Sequence, residues 1–110
     1  MSDAFQDREK GFERKYQLDQ DQTFRVQSRR DKLFGQWVAG QLGKSGDAAD
    51  AYAKEVVAAN FDAPGDEDML AKVRKDLAAS KVAIDDKALM AKLHALHDDA
   101  ARQIMGEIKK

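Results

Sequence analysis

Apolar residues recur at three- and four-residue steps through almost the whole chain, and no stretch alternates long enough to make a strand. That period commits the chain to helices packed along their apolar stripes. The only proline, Pro64, sits in Ala63-Pro64-Gly65, a natural break between two of them. At 110 residues the expectation is one domain with one modest core. Aromatics make up only 7% of the sequence, so Ala, Leu, Val, Met and Ile must fill that core.

The spacing predicts four helices, at about 19–42, 48–61, 66–79 and 86–107, joined by short loops into an antiparallel-type bundle. The first starts at Asp19 and carries a broad stripe of Val26, Leu33, Phe34, Trp37, Val38 and Leu42. Gly43 suits its C-terminus, where a left-handed backbone is cheapest as glycine. Asp47 is the expected N-cap of the second, whose inner face is Ala49, Tyr52, Ala53, Val56 and Val57. The third starts at Gly65 or Asp66, with Asp66-Glu67-Asp68 against the positive end of its dipole, and buries Met69, Leu70, Val73 and Leu77. Asp85 or Asp86 caps the fourth, Ile84 staples onto Leu89 or Met90, and Leu89, Leu93, Leu96, Ala100 and Ile104 face inward.

Residues 1–18 differ. Phe5, Phe12 and Tyr16 fall on one narrow stripe, interrupted by Gly11, among mixed charges that pair and repel along the helix. Such a segment makes a marginal helix when it stands alone. The expected architecture is therefore an all-α four-helix bundle, residues 19–110, preceded by a mobile, partly helical N-terminal arm, residues 1–18.

The charge balance is 19 basic against 20 acidic residues, net −1, which gives no electrostatic case for nucleic acid or an anionic membrane. The absence of cysteine excludes disulfides and zinc–thiolate sites and makes the cytosol the natural compartment. The first residues read as neither a signal nor a transit peptide, and no apolar run reaches membrane-spanning length.

The candidates for chemistry are thin. Gly43-Lys44-Ser45 lacks the upstream glycine and the preceding strand of a phosphate loop, so a plain inter-helix loop is expected and nothing argues for nucleotide contact. His94 and His97 stand three apart, but a stable metal site needs further ligands from another helix. Three acids at 66–68 are explained by a helix start, and lack the alternating ligands of a calcium loop. No nucleophile–base arrangement is evident. The expectation is a protein that is not an enzyme and needs no metal or cofactor.

Two features point instead to a protein partner. Arg29-Arg30-Asp31-Lys32 is a basic knot on the longest helix, either a solvated face or a docking point for an acidic surface. Four of the eight aromatics, Phe5, Phe12, Tyr16 and Phe24, lie in the first 24 residues, and none follows Phe61. They are either folded back onto the bundle or held out as a helix that a partner's groove receives. Patterning alone leaves both readings open.

The pattern Asp7-Arg8-Glu9, Phe12-Glu13, Lys15, Asp19, Phe24, Arg29-Arg30, Lys32-Leu33, Gly35, Trp37 and Leu42-Gly43 is followed by Asp50-Ala51-Tyr52-Ala53-Lys54-Glu55-Val56-Val57. Together with Gly65, Glu67-Asp68, Lys72-Val73-Arg74 and Asp76-Leu77, it resembles the zeta subunit, the small inhibitor of alphaproteobacterial F-type ATP synthases. The resemblance covers nearly the whole chain. It implies a four-helix bundle with a mobile arm that wedges as a helix between the catalytic α and β subunits and the central γ shaft, stopping rotation in the hydrolysis direction. By motif match, Phe5, Asp7, Arg8, Glu9, Phe12, Glu13 and Lys15 become inhibitory contacts, with Tyr16 completing the stripe and Arg29, Arg30 and Lys32 in support. It further implies a monomer when free, cytoplasmic and peripheral to the membrane through the synthase. Asp31 stands where the family tends to carry Asn, and Gly40 where it tends to carry Glu. The competing expectation is a helical adaptor or assembly factor with the N-terminal segment packed into the core.

Overall fold

The computed structural model describes residues 19–61 and 65–109, so the expected arm, with Phe5, Asp7, Arg8, Glu9, Phe12, Glu13, Lys15 and Tyr16, lies outside the described residues. Those described form four helices and no strand: α1 Gln20–Gln41, α2 Gly46–Phe61, α3 Glu67–Ala79 and α4 Asp86–Lys109. The all-α, four-helix expectation holds. α1 is the central element, packed against α2 on one side and α4 on another, while α3 packs mainly on α2. The pairings run antiparallel: Asp31 meets Asn60 where Gly35 meets Val56, and Arg29 meets Gln103 where Trp37 meets Lys92.

Two rows of α1, each at four-residue steps, account for that central place. Val26, Arg30, Phe34 and Val38 form one buried row, and Asp31, Gly35 and Ala39 form the other. Phe34, Val38 and Ala39 enter the main core with Tyr52, Val56, Met69, Leu70, Val73, Leu77, Leu89, Leu93 and Leu96. Val26 belongs to a smaller cluster with Ala100, Ala101 and Ile104 of α4. Gly35 sets the approach of α1 to α2. A Cβ placed there would stand 2.7 Å from the Ala53 Cα, closer than atoms can pack, so the two backbones touch only because position 35 is bare.

Helix ends follow local chemistry, with two departures from expectation. Asp19 makes a capping box: its carboxylate accepts the Gln22 backbone N–H at 2.7 Å, and the Gln22 side chain accepts the Asp19 N–H at 3.1 Å. At the other end Gly43, φ 81°, closes α1, with Gly43 N–H donating to the Gly40 carbonyl and Lys44 N–H to that of Ala39. Asp85 accepts the Ala88 N–H at 2.8 Å and caps α4. Asp47, however, is not the N-cap of α2. That helix already starts at Gly46, and the Ser45 carbonyl accepts from Ala49 at 3.4 Å, which leaves Asp47 in the first turn. Asp66 occupies the N-cap position of α3 but makes no side-chain cap, because its carboxylate is taken by Arg30.

Candidate functional site

The basic knot does not present three equivalent cations. Lys32 is exposed. Arg29 is half-buried, donating to Gln103 at 2.8 Å and pairing with Glu107 at 2.8 Å across to α4. Arg30 is buried at 8% exposure, and there the docking expectation needs correction. Its guanidinium reaches Asp31 at 2.8 Å and Asp66 at 2.7 Å, which ties α1 to the start of α3. The reason is its register, four residues after Val26 and four before Phe34, on the inward row. A buried guanidinium needs charged acceptors, and the two aspartates supply them.

Asn60 completes this bridge from the last turn of α2. Its amide donates to Asp31 at 2.8 Å and to Asp66 at 3.1 Å, while its Oδ1 is buried with no donor among the described residues. Two carboxylates thus share one guanidinium and one amide. Burial raises the Asp31 carboxyl above its ordinary value, against the pull of Arg30 and Asn60 toward the charged form. His97 of α4 lies within the field of the same group. Burial first, and the Arg30 charge second, lower its imidazole below the ordinary 6.5. His94 is exposed. Among the described residues no three His, Asp or Glu side chains are grouped to hold a metal ion.

A second polar clasp joins α2 to α3. The Tyr52 hydroxyl donates to Asp76 at 2.7 Å, and Lys72 reaches Asp76 at 3.1 Å and Glu55 at 3.2 Å, with its ammonium 5.0 Å from the Tyr52 ring centre. Burial works to raise the Asp76 carboxyl, but the Tyr52 hydroxyl and Lys72 outweigh it and hold the group below its usual value. Burial and the bond to Asp76 push the Tyr52 phenol upward. These groups are matched to one another across a helix pair. They hold structure rather than present a reactive atom.

The Gly43-Lys44-Ser45 loop likewise offers no phosphate cradle. The amides of Gly43 and Lys44 are used by carbonyls of α1, so they do not converge on an anion. No helix among the described residues is long and apolar enough to cross a membrane.

Two aromatics and several cations stay exposed on one face. Phe24 and Phe61 are 52% and 60% exposed, the large apolar side chains most open to water among the described residues, and their ring centres lie 5.5 Å apart. They line an open groove of about 780 Å3 between α1 and α2, to which Ile104 and Glu107 of α4 also contribute. Arg29 and Lys32 line this groove, so the structure brings two of the three knot residues together there and turns the third inward. Sequence reasoning did not name Phe61, Arg25 or Lys54, which join them, as site residues, nor Asn60, and it read Asp66 only as helix-start charge, whereas Asn60 and Asp66 surround Arg30 and Asp31. For Phe61 a signal existed: it lies past the end of the inner stripe of α2, at the last residue before the break.

The capping box at Asp19 marks the start of α1. No curated protein matches the chain. The family model described as ATPase inhibitor subunit zeta matches residues 1–103, spanning both the segment before Asp19 and the Arg30 and Gly35 positions that organise α1, and the chain belongs to that family.

Proposed function

We propose that this protein inhibits ATP hydrolysis by an F-type ATP synthase through residues 1–18, which fold as a helix wedged between the catalytic α and β subunits and the γ shaft. A rotating shaft stops when a rigid body fills an interface that must change shape, so the inhibitor needs no chemistry of its own. Phe5, Phe12 and Tyr16 supply the apolar anchors, and Asp7, Arg8, Glu9, Glu13 and Lys15 the polar contacts around them. Ordering this segment on binding offsets part of the anchor energy.

The observation that carries the reading is the family match, which begins at residue 1 and includes the whole segment. The capping box supports it. A reciprocal cap at Asp19 and Gln22 ends α1 at its own N-terminus, so the helix does not continue into the preceding residues. Arg29 and Lys32 act as supporting contacts from the bundle surface. Arg30 contributes by holding α1 to α3 instead of by touching the partner.

Titration of the chain and of a form lacking residues 1–18 onto the ATPase head of the same organism tests this. The truncated form keeps its helical content and melting transition but no longer slows hydrolysis. Full inhibition by the truncated form would refute the assignment to residues 1–18.

A further inference from the structure

The groove between α1 and α2 has a chemistry of its own. Its apolar lining comprises the buried or partly buried Ala53 and Val57 of α2 and Ile104 of α4, together with the exposed Phe24–Phe61 pair. Large exposed aromatics set beside each other are costly to leave in water and are the anchors most often used in recognition. One wall is the α1 stripe Arg25, Arg29 and Lys32, at helical steps of four and three; Lys54 faces it from α2. Glu107 neutralises Arg29. Arg25, Lys32 and Lys54 are exposed and make no ion pair among the described residues, and they face one carboxylate, Asp50. On a chain of net charge −1 this is a local concentration of positive charge around an apolar trough.

We propose that this groove is a docking site for an acidic amphipathic helix of a partner protein. The apolar stripe of that helix lies on Phe24, Phe61, Val57 and Ile104, and its flanking carboxylates meet Arg25, Lys32 and Lys54. Charge selects this occupant. Residues 1–18 carry as many basic as acidic side chains and gain nothing from a positive rim, and a second copy of the groove would repel the first. The volume, about 780 Å3, is sufficient for two or three apolar side chains of a helix laid along it. The proposal does not rest on the role given to residues 1–18.

The test uses the full chain and two blocked helical peptides of about four turns. Both carry Leu or Phe at i, i+4 and i+7; one has Glu at the flanking positions, the other Lys. Fluorescence anisotropy shows the acidic peptide binding roughly tenfold or more tighter than the basic one, less tightly as salt rises. Phe24→Ser and Phe61→Ser each weaken it by roughly tenfold. Lys32→Glu combined with Lys54→Glu, which alters only exposed side chains, reverses the preference while the melting temperature holds. Equal binding of the two peptides, no binding of the acidic one, or binding indifferent to Phe24→Ser overturns the proposal. So does faster proteolysis within residues 1–18 in the free Phe24→Ser protein, which would make the groove the seat of the chain's own segment. A concentration-dependent dimer lost in that variant would assign the groove to a second copy and overturn it equally.

Discussion

The two halves of α1 are built for different purposes. From Leu33 to Gln41 the helix buries Phe34, Gly35, Val38 and Ala39 among residues of all three other helices. From Gln20 to Lys32 it buries a single apolar side chain, Val26, and spends its other inward positions on the charged pair Arg30 and Asp31. Phe34 is fully buried, whereas Phe24, ten residues earlier on the same helix, is half in water. One continuous helix therefore carries a fully buried apolar face at one end and, at the other, a buried charged pair beside an exposed aromatic. Charge inside the N-terminal half fixes geometry with a few directed bonds where apolar packing would need more contact.

The largest expected effect breaks the contrast at its core end. Phe34→Ala removes a fully buried ring and should cost about 3–5 kcal/mol, a loss visible in denaturant or thermal melting. Phe24→Ser should stay within about 0.5 kcal/mol in the same assay. Comparable losses at the two positions would erase the distinction. Next is Arg30→Ala, which strands Asp31 and Asp66 without their guanidinium and should cost about 3 kcal/mol. Asp31→Asn should cost far less, because burial already disfavours the Asp31 charge and the cluster holds two carboxylates for one cation.

A glycine pair on the same helix gives an opposite-sign test. Gly35→Ala forces a Cβ into the Ala53 backbone and should destabilise by about 1–3 kcal/mol, despite the better helix propensity of alanine. At Gly40 nothing lies within 4 Å of an added Cβ, so Gly40→Ala should stabilise by about 0.5–1 kcal/mol. The smallest effect is a pH dependence. Burial and Arg30 depress the His97 imidazole, so the folded state binds its proton less readily than the unfolded chain does. Stability should then fall as pH drops below 6.5, until the lower folded value is passed. His97→Gln should flatten this part of the melting-temperature profile, and an unchanged slope would assign it to other groups.

Much of this was legible in the sequence because it is local. Helical period gave the four helices, the buried residues of α3 and all those of α4 but Ala101, and short-range chemistry gave the ends at Asp19, Gly43 and Asp85. What was not legible depends on partners far along the chain. Asp66 reads as a cap, but its carboxylate meets a guanidinium 36 residues earlier, and no local rule weighs those two bonds against each other. Arg30 and Asp31 look like a solvated charge run, since burial of ions is rare. Their register was the available signal: 26, 30, 34 and 38 form one row and 31, 35 and 39 another. Gly35 reads as a weak point in a helix until α2 is laid against it. The groove appears only when Phe61, from the end of α2, is brought beside Phe24.

Inhibition and stability are here assigned to separate parts of the chain. The most direct test replaces Phe5, Phe12 and Tyr16 together by alanine and measures ATP hydrolysis by the organism's own ATPase head alongside the melting temperature of the free protein. Inhibition should be lost while the melting temperature is unchanged. Full inhibition by the triple variant, or a melting transition that falls with it, would contradict that separation.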